Sequence, residues 1–186
     1  ESRGLGDWHA TVPGSLGPRA PLERDERVDV AIVGAGYTGL WTAWYLAALS
    51  PGIRIAVVEA EIAGFGASGR NGGWCLGTLA GSDAIADPAD PVQRDPARRL
   101  QGALFDAVDE VGRVCAQEAI DCHYAKGGYL CAASAPAHRE LMLRDLERWR
   151  ALGFGEEDVR WLEPEECSAR VRVRNLGGTL LSHCAA

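Results

Sequence analysis

The chain has 186 residues, 47% of them hydrophobic and 24% charged, a balance that suits one globular domain of about 100–200 residues. Against 26 Asp and Glu there are 19 Lys and Arg, and the formal net charge of -7 excludes the basic footprint that nucleic acid or another polyanion requires. The basic residues are also dispersed or interleaved with acids, as from Arg139 to Arg150.

Residues 1–26 form an arm rich in Gly, Pro and Arg that is predicted to cross the domain surface irregularly, and they contain no apolar signal region. Val28, Val30, Ile32 and Val33 around Ala31 then predict a buried parallel strand. Gly34-Ala35-Gly36-Tyr37-Thr38-Gly39 follows at once. In such a fingerprint the first glycine permits a tight turn, the second removes a Cβ where the backbone meets a pyrophosphate, and the third lets the next helix lie close to the strand. The helix N-terminus offers unpaired N–H groups and a positive dipole end to an anion.

Val30 to Ile53 carries no charge, but Gly34, Gly36, Gly39 and Pro51-Gly52 break it into strand, turn and helix. The helical part, Leu40 to Leu49, is too short to cross a membrane. With Leu40, Leu46 and Leu49 beside them, Tyr37, Trp41, Trp44 and Tyr45 read as core packing, so a buried helix is expected. A second apolar run, Ile53 to Val58, ends in Glu59, about 20 residues beyond the last glycine, where a carboxylate accepts hydrogen bonds from a ribose 2′-hydroxyl. A 2′-phosphate would meet like charge there, which leaves the ADP moiety of FAD or NAD.

The next segment, Gly64-Phe65-Gly66-Ala67-Ser68-Gly69-Arg70-Asn71-Gly72-Gly73, favours FAD. Its glycines let a loop wrap a ligand closely. Arg70 can pair with a pyrophosphate oxygen, Ser68 can donate to another, and Asn71 with the glycine amides can face a flavin ring. Cys75, just beyond, reads as a small buried filler, with contact to the flavin as the alternative.

Gly81 to Pro96 is predicted as a loop ending with Asp95 as N-cap and Pro96 at the first helical position. A long helix follows, with Leu100, Leu104, Ala107, Val108, Val111, Val114 and Cys115 on one face. Beyond Asp121, short strands are expected at Cys122 to Tyr124 and Tyr129 to Ala133, separated by Lys126-Gly127-Gly128. Ser134 is read as capping a helix that runs to Leu152 with Gly153 in the left-handed position after it. Val159 to Leu162 reads as a strand, Pro164 to Val171 as a short helix, and Gly178 to Leu181 as the start of another strand.

Cys75, Cys115, Cys122, Cys131, Cys167 and Cys184 show no CxxC pair and no metal-ligand spacing, so no metal is expected and the thiols read as reduced and cytosolic. His9, His123, His138 and His183 pair with no nucleophile or carboxylate at a catalytic spacing, and none is assigned a role.

The motifs together resemble the flavin-dependent amine and amino-acid oxidases of the D-amino-acid oxidase superfamily, particularly the branch that includes γ-glutamylputrescine oxidase. Residues 30–40 look like that branch's first FAD motif and residues 62–73 like its second. Trp8 with Pro13-Gly14 resembles the lead-in arm, while residues 121–128 and 177–181 resemble stretches early in the substrate domain. Family members often carry histidine where this chain has Ala125.

The resemblance implies an α/β chain: a Rossmann-like FAD-binding βαβ unit, incomplete, followed by the beginning of an α+β substrate domain. The expected division is an arm over 1–26, the FAD-binding part over 27–119 and the start of the substrate domain over 120–186, in an N-terminal portion of a longer enzyme. The implied activity is oxidation of a small-molecule amine or amino acid by hydride transfer to FAD, with oxygen as reoxidant, in the cytoplasm. The cofactor residues expected from motif and resemblance are Gly34, Gly36, Tyr37, Thr38, Gly39, Glu59, Gly66, Ala67, Ser68, Arg70, Asn71, Gly72 and Gly73. No acid or base is demanded, so no catalytic residue is assigned. A noncatalytic nucleotide-binding fragment or partner subunit, and an NAD-dependent dehydrogenase, are the alternatives.

Overall fold

The computed structural model describes residues 7–12, 14, 16–79 and 90–186, which fall into two units, Glu1–Gly72 and Gly73–Ala186. Pro13 and most of the predicted loop at 81–96 lie outside the described residues.

In the first unit the two β-branched runs become β1 (Val30–Val33) and β2 (Ile55–Val58), paired in parallel with Val30 opposite Ile55 and Val33 opposite Val58. A short helix, α1 (Asp7–Thr11), precedes them, and α2 (Tyr37–Leu49) connects them. A fork-to-fork ion pair staples the strand entrances. The Arg54 Nη2 and Nε donate to the two Asp29 carboxylate oxygens at 3.0 and 3.2 Å, and the Arg54 backbone N–H donates to the same carboxylate at 2.9 Å.

Two expectations for this unit are corrected. The strands are half-buried at best, with Val33 91% exposed. Of α2 only Gly39 is buried, while Tyr37, Leu40, Tyr45 and Leu49 are exposed. The reason is area, since two strands offer a narrow platform and α2 covers one face of it. Trp41, Trp44 and Tyr45 instead pack on one another, Trp41 and Tyr45 stacked at 5.7 Å and Trp44 edge-on to Tyr45 at 4.9 Å.

The second unit is α+β. Its three-stranded antiparallel sheet has the order β4 (Tyr129–Ala132), β6 (Gly178–Leu181), β5 (Val159–Leu162), so the last of the three strands in sequence lies in the middle. Two-residue strands, β3 (Cys75–Leu76) and β7 (Cys184–Ala185), form a separate antiparallel pair. Three helices, α3 (Pro91–Gln117), α4 (Pro136–Ala151) and α5 (Pro164–Arg170), complete the unit. Phe105, Phe154, Val159 and Leu181 form the core, with Leu76, Tyr129, Leu146, Trp149 and Leu152 against it. Phe105 stacks on Trp149 at 5.8 Å and meets Phe154 edge-on at 5.2 Å.

The start of α3 is Asp90-Pro91 rather than the expected Asp95-Pro96. The Asp90 carboxylate accepts from the Val92 N–H at 2.8 Å, and Pro96 sits inside the helix. Two Asp-Pro pairs compete for one cap, and the earlier one takes it although Pro96, the sixth helical residue, then forgoes the hydrogen bond to the Val92 carbonyl. The buried stripe is also rotated. Gln101, Phe105, Val108 and Val114 are buried, whereas Leu100 is exposed. Buried Gln101 is matched by a hydrogen bond, its Nε2 donating to the Gly77 carbonyl at 2.5 Å.

Residues 122–124 do not form the expected strand, because His123 adopts a left-handed conformation at φ +57°. Nor does Ser134 cap α4: the N-cap is Ala135, and the Ser134 hydroxyl lies 3.0 Å from His138 Nδ1. Gly153 does take the left-handed position after α4, at φ +86°.

α3 ends in a Schellman motif, in which the Ile120 N–H donates to the Cys115 carbonyl at 2.8 Å and the Ala119 N–H to Ala116 at 3.4 Å. The left-handed residue is Ala119, at φ +52°, where glycine is usual. Relief of a left-handed penalty of about 1–2 kcal/mol, less about 0.5–1 kcal/mol of extra unfolded-state entropy, should make Ala119→Gly more stable by about 0.5–1 kcal/mol. A higher urea midpoint at unchanged slope is the expected result.

Candidate cofactor-binding site

The first glycine segment turns sharply out of β1. Gly34, at φ +99°, occupies backbone space closed to other residues, and its N–H donates to the Val58 carbonyl at 2.7 Å, so the turn is tied to the end of β2. Gly36 is the N-cap of α2, which has no acidic residue in its first turn and no side-chain cap of its own. Tyr37 and Thr38 follow as exposed residues at the helix start. Gly39 is buried, and a Cβ there would collide with the Gly34 carbonyl oxygen and crowd Ile32 Cγ2 at 3.2 Å. Helix and strand therefore touch through bare backbone.

Glu59, one residue beyond β2, bends back to this turn. One carboxylate oxygen accepts from the Ala35 N–H at 2.8 Å and the other from the Glu61 N–H at 3.1 Å. These backbone donors, Ala35 first, hold the Glu59 carboxyl below its ordinary value of 4.5. Each oxygen keeps a second lone pair, so the carboxylate can still accept from a ligand hydroxyl.

The second glycine segment closes on the first. Gly66 opens a single 3₁₀ turn, Ala67–Gly69, and Gly64 donates its N–H to the Ala35 carbonyl at 2.9 Å. Ser68 Oγ accepts from the Tyr37 N–H at 2.9 Å and supplies the cap that Gly36 lacks. Its hydroxyl hydrogen remains a donor. A Cβ on Gly36 would stand 3.0 Å from that same oxygen, whereas one on Gly66 or Gly72 would meet nothing within 4 Å. Asn71 Nδ2 donates to the Ser68 carbonyl at 2.8 Å and to Tyr37 Oη at 3.1 Å. Arg70 folds over its own loop, with Nε donating to the Phe65 carbonyl at 2.7 Å and the guanidinium 4.8 Å from the Phe65 ring centre. Gly73, at φ +83°, opens the second unit.

Sequence reasoning brought 34–39, 59 and 66–72 to one place but missed what braces them. Trp8 Nε1 donates to the Asn71 carbonyl at 2.6 Å, which ties α1 to the second glycine segment. The His9 ring lies against Gly69, where a Cβ would come within 2.7 Å of it. Ala35 is 5% exposed and holds Glu59 through its amide. No periodicity marks such contacts, since they span 63 residues in one case and depend on backbone groups in another.

The other groups singled out in the sequence lie in the second unit. Cys75 sits in β3, and burial pushes its thiol up. All six cysteines are free. His123 is exposed, and His183 Nε2 lies 2.9 Å from Asp158 Oδ1 while its ring stacks on Phe105 at 3.8 Å, a structural setting. Among the described residues no group of His, Cys, Asp or Glu is placed to hold a metal ion, and no helix is long and apolar enough to cross a membrane.

Parallel strand, glycine turn, helix, parallel strand and terminal carboxylate define a dinucleotide-binding βαβ unit. The chain belongs to the FAD dependent oxidoreductase (DAO) family, whose model it matches over residues 29–186. It is 29% identical over 176 residues to gamma-glutamylputrescine oxidoreductase of Escherichia coli (strain K12), covering 95% of this chain and 40% of that protein. Its fold is shared with L-amino acid deaminase from Proteus vulgaris, at a TM-score of 0.64 and 21% identity over 94% of this chain and 43% of that one. It is shared too with glycine oxidase from Geobacillus kaustophilus, at 0.56 and 23% over 87% and 40%. The chain thus spans about two fifths of the length of these relatives.

Two outcomes follow from the geometry. Gly39→Ala places a methyl group against the Gly34 carbonyl and should destabilise the first unit by about 1–3 kcal/mol, read from the denaturation midpoint followed by tryptophan fluorescence. Because the folded-state pKa of Glu59 is depressed, the stability its ionised form contributes is present above pH 4.5 and is lost as pH falls through the lowered value. Denaturation midpoints of Glu59→Gln between pH 7 and 3 should therefore fall less steeply than those of the wild type.

Proposed function

We propose that this chain forms the adenylate- and diphosphate-binding part of an FAD-dependent enzyme that oxidises a small amine or amino acid. The reading rests above all on the meeting of two glycine segments at one helix start, where Ser68 Oγ takes the Tyr37 N–H and Glu59 takes the Ala35 N–H. These residues fit the cofactor. Gly36 leaves the approach to the helix bare, Gly66 and Gly72 leave open space on the facing loop, and no carboxylate stands in the first turn of α2 to repel a diphosphate.

In this reading Glu59 accepts from the ribose hydroxyls while Ala35 fixes its orientation. Ser68 and Arg70 donate to the diphosphate, the amides of Tyr37, Thr38 and Gly39 contribute the positive end of α2, and Ala67, Asn71, Gly72 and Gly73 line the path toward the flavin ring. Bound FAD would supply the redox chemistry for hydride removal from the substrate carbon that bears nitrogen, and the resulting imine would hydrolyse in water. Oxygen is the proposed final acceptor and the cytoplasm the proposed location. The proposed division of the whole protein is an arm over 1–26, FAD-binding residues over 27–119 and substrate-domain residues over 120–186. Amine or amino-acid substrates are proposed because the relatives named above are an oxidoreductase of gamma-glutamylputrescine, a glycine oxidase and an amino-acid deaminase.

Titration of the chain with FAD, followed by quenching of flavin fluorescence, should show saturable binding that NAD does not displace. Gly36→Val and Glu59→Ala should each weaken it, the first by filling the approach to Ser68 and the second by removing ribose hydrogen bonds, with a rise in Kd of roughly tenfold or more for Gly36→Val. Unchanged affinity in both variants overturns the site, and preferential NAD binding moves the chain to the dehydrogenases.

A further inference from the structure

The C-terminal end of α3 brings two thiols together that nothing in the proposed cofactor site uses. Cys115 lies in the last turn of the helix, half-buried, and Cys122 lies in the loop beyond, exposed. The Cys122 thiol donates to Cys115 Sγ at 3.5 Å. The Schellman bond from the Ile120 N–H to the Cys115 carbonyl turns the chain back on itself. Two left-handed residues outside glycine, Ala119 and His123, then bracket the segment that presents Cys122.

That loop is fastened on its far side as well. Tyr124 Oη donates to the Val108 carbonyl at 2.6 Å, its ring lies where a Cβ on Gly112 would be, and Lys126 pairs with Asp109 on α3. Ala125 and Ala186 exchange backbone hydrogen bonds at 2.9 and 3.2 Å. Both cysteines line one open surface cavity, together with Gly112, Ala116 and Tyr124. Closing from 3.5 Å to the roughly 2.05 Å of a disulfide is a small movement for a loop.

We propose that Cys115 and Cys122 are a thiol pair that a hydroperoxide converts reversibly to a disulfide. The exposed Cys122 sulfur attacks the peroxide oxygen, the O–O bond breaks, and water or an alcohol leaves, so that Cys122 becomes a sulfenic acid. Cys115 then attacks the Cys122 sulfur, the S–O bond breaks, and the hydroxyl leaves as water with the Cys115 proton. Two thiols lose two electrons and two protons, and the peroxide gains both. The roles follow from placement, since burial pushes the Cys115 thiol up and shields it, while Cys122 faces the solvent from which the oxidant arrives. Thiol-disulfide exchange with a small dithiol reverses the step.

The pair is testable in the full chain, independently of any cofactor. Arg113 and Lys126 flank it, so trypsin releases both sulfurs in one peptide, residues 114–126. After hydrogen peroxide and quenching by alkylation, that peptide should be two hydrogens lighter and carry no alkyl group, and reduction with dithiothreitol should restore two alkylation sites. Thiol titration in denaturant, after the peroxide-treated chain has been quenched, should fall by two from its six cysteines. Cys115→Ser should leave a Cys122 sulfenic acid that dimedone traps. The proposal is overturned if the wild-type peptide remains alkylated at both positions, if Cys122 advances to sulfinic acid while Cys115 stays alkylatable, or if either sulfur pairs with another cysteine. Equal rates of pairing in the folded chain and in urea would also overturn it, because the fold would then contribute nothing.

Discussion

The approach of Gly39 to the Gly34 carbonyl is the constraint on which the first unit depends. A side chain at Gly39 would force α2 away from β1, and one at Gly34 would strain the positive φ of the turn, so that the helix start would no longer be aimed at the second glycine segment. Everything placed there inherits this contact. The Tyr37 N–H reaches Ser68, the Gly64 N–H reaches the Ala35 carbonyl, and the Ala35 N–H reaches Glu59 because the backbone of 34–39 follows one path. The glycines are therefore less a flexible tether than the means by which two polar loops come within hydrogen-bond distance without intervening side chains.

Charge at this site is arranged with economy. Glu59, whose carboxylate is drawn into the turn, is held by backbone donors that lower its pKa, while α2 begins with no acidic residue of its own. In the proposed site a nucleotide would meet an acceptor on its ribose side and donors on its phosphate side. The separation of these polarities along a few residues matters more than the net charge of the chain, which has the wrong sign to attract an anion at long range.

The second unit is stabilised differently. Its core is a cluster of rings from α3, α4 and the segment between α4 and β5, with Phe105 packed against Trp149, Phe154 and His183 at once. His183 and Asp158, which in isolation suggest catalysis, serve here to close that cluster at its polar margin. Gln101 does the same at Gly77, through a hydrogen bond that spans 24 residues of sequence. The strained end of α3 follows from the same economy, because Ala119 accepts a left-handed conformation to bring residues 122–126 back onto the helix.

The order β1, glycine turn, α2, β2, Glu59 and second glycine segment is legible from residues alone, because each has a local signature: β-branched runs, fixed glycine spacing and a terminal acid. So are β5, β6 and the left-handed Gly153, where pattern and turn chemistry agree. Long-range packing settled that Asp90 rather than Asp95 caps α3, that Gln101 and Phe105 rather than Leu100 face inward, and that α2 leaves Tyr37 and Tyr45 exposed and Trp41 and Trp44 half-buried. Periodicity sets the spacing of a buried stripe but not its rotation, which depends on the neighbouring surface, and a helix is buried only where a broad enough sheet lies beneath it. The contacts of Trp8 with Asn71 and of Cys115 with Cys122 were invisible in sequence for a related reason, since both are fixed by where the backbone turns rather than by residue type.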